Sequence, residues 1–176
     1  NTWTGATTFN NTATIINAGT GWMQLATTSA NTFNAASTFS SLNTGILYVS
    51  HTVAGSTFNG NIQLNSTNAS GGVYFGQSGG TSTLAATYTI SAGTDGISAG
   101  SVRLRNFTQA GGTAQVLNAT GTTTTIYYES GSTFNGAVTT SAPLIYLNGT
   151  TFASTLGLTQ TGAAAATSSG GCTFTG

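Results

Sequence analysis

The chain has 176 residues, of which 38% are hydrophobic, 10% aromatic and only 2% charged, and its formal net charge is zero. Ordinary globular domains carry about a quarter charged residues. With only two basic side chains, this chain cannot be a protein that neutralises many nucleic-acid phosphates. The composition also excludes intrinsic disorder, which combines high net charge with few aromatic side chains, and the apolar runs of four or five residues are too short to span a membrane.

The bulk of the chain is Thr, Asn, Ser, Gly and Ala, and there is one proline, Pro143. Thr and aromatic residues favour strands, whereas Gly, Asn and Ser favour turns, so we expect an all-β protein of many short strands with no significant helix. A net charge near zero favours association, most simply with copies of itself. The single cysteine, Cys172, excludes an internal disulfide, and we expect it to be a buried or half-buried side chain or an intermolecular link.

A short motif, a polar residue followed by Thr and an aromatic residue, recurs along the chain. The copies that we take as marking the repeat are, in chain order, residues 1–5 (NTWTG), 31–34 (NTFN), 56–60 (STFNG), 132–136 (STFNG), 150–153 (TTFA) and 172–176 (CTFTG). Segments 31–55 and 56–80 align without a gap, so that Phe33 matches Phe58. Between residues 81 and 131 the motif is degraded, but strand-like segments continue there.

A repeat of 18 to 30 residues whose length varies by insertion is typical of solenoid coils. A sandwich or barrel does not require the same residue at the same place in each unit, whereas a solenoid does, because each side chain stacks on its counterpart one rung away. The sequence therefore predicts a parallel β-helix, or β-solenoid, of about seven or eight coils with two or three strands per coil. We expect asparagine amide ladders at its turns and an internal aromatic ladder of Trp3, Phe33, Phe58, Phe134, Phe152 and Phe174.

Residues 1–176 are expected to form a single β-solenoid repeat domain. The motif stands at both ends, and neither end has a helix, a charge cluster or a proline to cover it. Uncapped rungs expose apolar side chains and unpaired strand edges. We therefore expect either one segment of a longer array or subunits that stack head to tail into a filament.

The residues that carry chemistry are few and scattered. Asp95 and Glu129 are 34 positions apart, and His51 has no second histidine and no CxxC motif to complete a metal site. Arg103 and Arg105 share one face of a predicted strand, and we expect them to pair with Glu129 or with a neighbouring subunit. The sequence therefore predicts no catalytic, cofactor-binding or metal-binding residues, and a protein that is not an enzyme.

Several segments resemble a known class of repeats, namely GSTFNGNIQLNSTNASGGVYFGQSGGTSTL, SVRLRNFTQ, ESGSTFNGAV and IYLNGTTF. They are similar to the Thr/Asn/Gly-rich repeats of very large secreted proteins of Bacteroidetes-type bacteria and, more broadly, to the β-helical shafts of filamentous-haemagglutinin-like adhesins. The resemblance implies an exported, cell-surface protein with an adhesin-like or fibre-forming role. It implies no ligand and no catalytic residues.

We thus expect a structural segment of an extracellular bacterial surface fibre or adhesin stalk. Its expected partners are copies of itself, stacked head to tail, or adjoining repeats of one long chain. Binding to surface glycans is a further possibility, whereas we expect neither nucleic-acid binding nor a membrane span. The alternative is a carbohydrate- or ice-binding solenoid surface. Thr-x-Thr pairs recur irregularly, at Thr12, Thr87 and Thr123, which counts against ice binding, and variable coil length counts against a functional amyloid.

Overall fold

The computed structural model describes residues 1–53, 55–165 and 168–176, and its strand pairings are all parallel. Among these residues the only helical element is a single 3₁₀ turn, Gln77–Gly79. The strands form three sheets that run side by side along the molecule. The prediction of an all-β parallel solenoid is therefore confirmed.

Each coil of the solenoid contributes one strand to each sheet in turn. Sheet 1 has eight strands: β1 Thr8–Phe9, β4 Thr32–Phe33, β7 Ser56–Phe58, β10 Ser82–Leu84, β13 Phe107–Gln109, β16 Thr133–Phe134, β19 Thr151–Phe152 and β21 Thr173–Phe174. Sheet 2 has seven: β2 Ala13–Asn17, β5 Ser37–Ser41, β8 Ile62–Ser66, β11 Ile90–Ile97, β14 Gln115–Asn118, β17 Val138–Ala142 and β20 Leu156–Gln160. Sheet 3 has six: β3 Met23–Gln24, β6 Ile46–Ser50, β9 Gly72–Phe75, β12 Ser101–Leu104, β15 Thr125–Tyr128 and β18 Leu144–Leu147.

The coil count is about seven, with three strands per coil. Isolated bridges from Thr2 to Gln24 and from Asn148 to Gly170 extend sheet 3 by one rung at either end. The shortest coil is the one from Phe134 to Phe152, because only Pro143 separates β17 from β18. Every strand pairs with a strand one coil away, and this pairing explains why the sequence repeats.

The interior of sheet 1 contains the expected aromatic ladder. Phe33 and Phe58 are fully buried, and their rings stack with centroids 4.9 Å apart. At the other end of the sheet, the ring of Phe152 stacks on Phe134 at 5.6 Å and on Phe174 at 5.7 Å. Offset and edge-on aromatic pairs at such distances stabilise a core beyond the area that they bury.

The position predicted for Trp3 is wrong. Phe9 is the residue whose Cα pairs with Phe33, and its ring stacks on Phe33 at 4.6 Å. Trp3 follows Thr2 at the edge of sheet 3 and is half exposed, because the first copy of the motif falls in the phase of sheet 3 and not of sheet 1.

The degraded middle of the repeat keeps the same register with different side chains. Leu84 pairs with Phe58, and Gln109 pairs with Leu84 and Phe134. Gln109 is fully buried, and its amide donates to the carbonyl of Thr113 at 2.6 Å and accepts from the N–H of Gly136 at 2.8 Å. A buried amide with both ends satisfied can therefore replace an aromatic ring in the ladder.

Polar side chains at the corners bind one coil to the next. The Ser41 hydroxyl donates to the carbonyl of Gly45 at 2.8 Å and accepts from the N–H of Gly72, one coil further on, at 3.0 Å. Asn34 and Asn59 form the expected amide ladder, since Asn59 Nδ2 donates to Asn34 Oδ1 at 3.0 Å and Asn34 Nδ2 donates to Asn10 Oδ1 at 2.9 Å. These bonds satisfy groups that turns would otherwise leave without partners.

Candidate functional surfaces

The outward side of sheet 1 carries one threonine per rung, a row that we call the threonine face. Its members are consecutive partners in the parallel register: Thr8, Thr32, Thr57, Thr83, Thr108, Thr133, Thr151 and Thr173. Sheet 1 shows no register shift, whereas sheet 2 shifts between Ala92 and Ile97 and sheet 3 shifts between Tyr48 and Ser50. The row is therefore regular over its whole length.

A second outward row runs beside the threonine face, two residues further along each strand, because strand side chains alternate with a period of two. In six of its eight members the main-chain N–H donates to the carbonyl of the ladder residue one rung away at 2.7 to 3.1 Å, and Asn135 reaches the carbonyl of Gln109 with its side-chain Nδ2 at 2.9 Å. The row consists of short polar or small residues: Asn10, Asn34, Asn59, Ala85, Ala110, Asn135, Ala153 and Thr175.

The outward side of sheet 3 carries a different row, which we call the tyrosine strip. In register order it consists of Gln24, Tyr48, Tyr74, Arg103, Tyr127 and Tyr146. The rings of Tyr127 and Tyr146 lie nearly parallel with centroids 4.9 Å apart. The rings of this stacked pair therefore cover each other and leave mainly their edges for solvent.

Arg103 lies in the middle of the tyrosine strip. Its guanidinium carbon is 5.0 Å from the centroid of Tyr74 and 4.0 Å from that of Tyr127, which are cation–π distances. Nη1 also donates to Glu129 Oε1 at 2.9 Å, which confirms the predicted pairing with Glu129. Burial lowers the pKa of Arg103, but the charge of Glu129 and the nearby tyrosines outweigh it, so that the pKa is raised. Arg105 forms no ion pair with the residues that the structure describes.

The remaining candidate residues stay apart. His51 packs against the ring of Tyr48 at 4.9 Å, and its Nε2 lies 3.2 Å from the Gln24 amide nitrogen, while burial lowers the pKa of its imidazole. Asp95 is exposed in β11 of sheet 2, whereas Glu129 pairs with Arg103 in the tyrosine strip of sheet 3. Cys172 is a free, half-buried residue. Within residues 1–53, 55–165 and 168–176, no three His, Cys, Asp or Glu residues come together as a metal site would require.

The two ends of the stack expose apolar side chains. At the β1 end, Phe9, Ile15 and Met23 line an open cavity of about 520 Å³. At the other end, Phe174 in β21 is more than half exposed and Leu158 in β20 is partly exposed, and among the described residues each of these strands has a partner on one side only. An unpaired strand edge beside apolar side chains is a surface that readily accepts another strand.

Sequence reasoning missed both outward rows. The threonine before each aromatic residue was visible, but Thr83 and Thr108 lack the following phenylalanine that would have marked them. The tyrosines follow one another at unequal intervals, such as 26 positions from Tyr48 to Tyr74 and 19 from Tyr127 to Tyr146, because insertions in the turns differ between coils. Only the register of the strands brings them into line.

No family model matches the chain, and no curated protein and no solved structure gives a significant match. The described residues include no helix that is long and apolar enough to cross a membrane.

Proposed function

We propose that this chain is a structural segment of an extracellular bacterial surface fibre or adhesin stalk, in which its end rungs stack on further rungs of the same kind. The observation that carries the proposal is the pair of open ends, where strand edges and apolar ladder residues lie exposed together. Phe174 is 58% exposed although every equivalent residue from Phe33 to Phe152 is buried. One more rung would bury it.

The register supports continued stacking. Within the chain, the pair Thr32–Phe33 lies on Thr57–Phe58, and Thr151–Phe152 lies on Thr173–Phe174. A further rung with the same two residues would extend both the threonine face and the phenylalanine ladder without a change of geometry. This stacking would be heterologous and open, which is the arrangement that produces filaments.

The ends are offset by one strand, and this bears on what stacks there. β21 in sheet 1 lies one rung beyond β20 in sheet 2. If β1 of a second copy paired with β21, its β2 would follow in the same coil, and one strand position above β20 would remain empty. A connection that supplies one further strand for β20 would fill this gap.

An extracellular location is supported by composition and by the resemblance. With 2% charged residues and no lysine, the chain resembles secreted Thr/Asn/Gly-rich repeats in the segments given above. Near-zero net charge also favours association over dispersal as monomers.

The proposal is tested by joining two copies through one extra strand. A five-residue strand copied from β17 would follow the first copy and supply the partner that β20 lacks. The roughly eight rungs of one copy give a rod on the order of 35 Å long. We expect electron micrographs of the joined copies to show a single unbroken rod of twice this length, with a reflection near ~4.8 Å along its axis. Two separate particles on a flexible connection would overturn the proposal.

A matched pair of substitutions separates end stacking from general adhesiveness. Phe174→Lys in the first copy places a charge at the stacking position, and we expect it to break the joined rod into two bodies. Val116→Lys is the control, because Val116 is 49% exposed but lies on the outward side of sheet 2, away from the ends. Equal effects of both substitutions would contradict end stacking.

A further inference from the structure

We propose that the threonine face binds ice, that is, that it holds water in the ordered array of an ice surface. This activity concerns the side of the solenoid and is independent of end-to-end stacking, so either proposal can fail alone. The first observation in its favour is that the threonine is constant along the row. In the same strands, the buried ladder position changes from Phe to Leu84 and Gln109, but the outward threonine is unchanged in eight rungs.

The fold does not require this constancy. The equivalent outward row of sheet 2 varies freely through five residue types: Thr14, Thr38, Gln63, Ser91, Val116, Thr139 and Gly157. Strand propensity therefore tolerates many residues at an outward position of this solenoid. A row that stays threonine while its own core changes is therefore the first place on this surface to look for a partner outside the molecule.

The chemistry of the row suits an ordered water layer. Each threonine presents one hydroxyl and one methyl group on a β-branched side chain whose χ1 angle is stiff. Parallel strands repeat at about 4.8 Å, a distance close to a repeat of the hexagonal ice lattice. Thr57 Oγ1 lies 3.4 Å from Thr32 Oγ1, so the hydroxyls of these two neighbouring rungs approach each other. The row of Asn and Ala residues beside it makes the array two-dimensional.

The face is also electrically suited to a neutral lattice. No strand of sheet 1 contains a charged residue, although Asp95 lies in sheet 2 and Arg103 lies in sheet 3. Charged groups orient water in hydration shells that do not match ice. A neutral face complements a neutral, periodic partner.

Two other occupants are less well matched. A polysaccharide surface is usually recognised through exposed aromatic faces, and sheet 1 presents no outward aromatic residue within its strands. A second copy packed side by side would have to exclude water between two rows of hydroxyls. The irregular Thr-x-Thr pairs that counted against ice binding lie elsewhere, since Thr14 is in sheet 2 and Thr125 is in sheet 3.

The experiment measures thermal hysteresis and inhibition of ice recrystallisation with the purified chain. We expect hysteresis and shaped ice crystals from the unsubstituted protein. Thr83→Lys combined with Thr108→Lys, in the middle of the face, should abolish most of this activity. The control combines Gln63→Lys with Thr139→Lys on the outward side of sheet 2 and should keep it, because the same number of charges is added away from the face.

Folding is controlled by a second variant. Thr83→Val with Thr108→Val keeps the shape and the branching of both side chains but removes their hydroxyls, and its thermal unfolding should match that of the unsubstituted chain while its hysteresis falls. Three outcomes would overturn the proposal: no activity in the unsubstituted protein, equal loss in the sheet 2 control, or retention of activity when the face carries lysine. A dimer that the face lysines dissociate, or retention on insoluble polysaccharide without any hysteresis, would equally replace ice by another partner.

Discussion

Single residues at the corners set how closely the coils can approach. Gly60, at the turn between sheets 1 and 2, is buried against the preceding coil, and a Cβ atom there would lie 2.2 Å from the carbonyl carbon of Ala35. Backbone cannot move away as a flexible side chain could. Glycine is required at this corner because two main chains meet there.

We therefore expect Gly60→Ala to reduce the free energy of unfolding by about 1–3 kcal/mol, the usual cost of overpacking. Gly112→Ala is the matched control, since a Cβ at Gly112 would meet nothing within 4 Å. Denaturant unfolding of both variants measures the difference. Similar stabilities for the two variants would show that the coils can separate at this corner without cost.

A second residue-scale prediction concerns alkaline pH. Burial raises the pKa of the Tyr128 hydroxyl well above its usual range, and this outweighs its hydrogen bond to Thr140. Since the folded pKa lies above the unfolded value of about 10, the stability that this group contributes is complete below pH 10 and is lost as pH rises further. We expect Tyr128→Phe to make unfolding less steeply dependent on pH above 10 in a denaturant titration. An unchanged slope would mean that the other tyrosines dominate alkaline unfolding.

At the scale of elements, stability in sheet 1 comes from the stacked interior of neighbouring strands. The ring of Phe58 stacks on Phe33 and packs edge-on against Phe39 and Phe75 at 5.9 Å each. Its strand, β7, is bounded by β4 and β10 on its two sides. The strands of this sheet are therefore stabilised by their neighbours in the adjacent coils and not by their own turns alone.

We expect Phe58→Ala to cost about 3–5 kcal/mol, the range for removing a buried aromatic side chain, whereas Phe174→Ala at the open end should cost far less. Thermal and denaturant unfolding of the two variants would compare the same deletion in the middle and at the edge of one ladder. Equal costs would contradict the ladder as the source of stability.

The elements also show how far the sequence could be used alone. Matching Phe33 to Phe58 and Phe134 to Phe152 predicted both the solenoid and its register, because identical side chains must stack on each other. The position of β1 is predicted wrongly, since the motif around Trp3 is read as the first copy although it falls in sheet 3. The signal for β1 is present, because Thr8 and Phe9 repeat the same motif 24 positions before Thr32 and Phe33. The outward rows were hidden, because unequal turns place tyrosines and threonines in line only after the strands pair.

At the scale of the whole molecule, each coil touches only its neighbours, so stability is shared along the axis and lowest at the ends. Trypsin has two cleavage sites, Arg103 and Arg105, both in the middle of the chain, and the side chain of Arg103 is held between two tyrosines and Glu129. We expect the folded chain to resist trypsin and to release residues 1–103 and 106–176 only after denaturation.

Mass spectrometry of timed digests measures this resistance. Chymotrypsin is the comparison, because Trp22 is 62% exposed near the β1 end and should be cut while the middle coils stay intact. Early cleavage at Arg105 in the native chain would show that the middle coil opens by itself.

Because every strand pairing is parallel, the stack of coils has a direction as well as a length. Each coil of about 25 residues advances the chain by one step of about 4.8 Å in the same direction. Residues that come later in the sequence therefore lie further along the axis of the solenoid. The two ends of the stack therefore differ chemically. Gaining or losing a single coil would change its length by one whole step and leave the direction of the remaining coils unchanged.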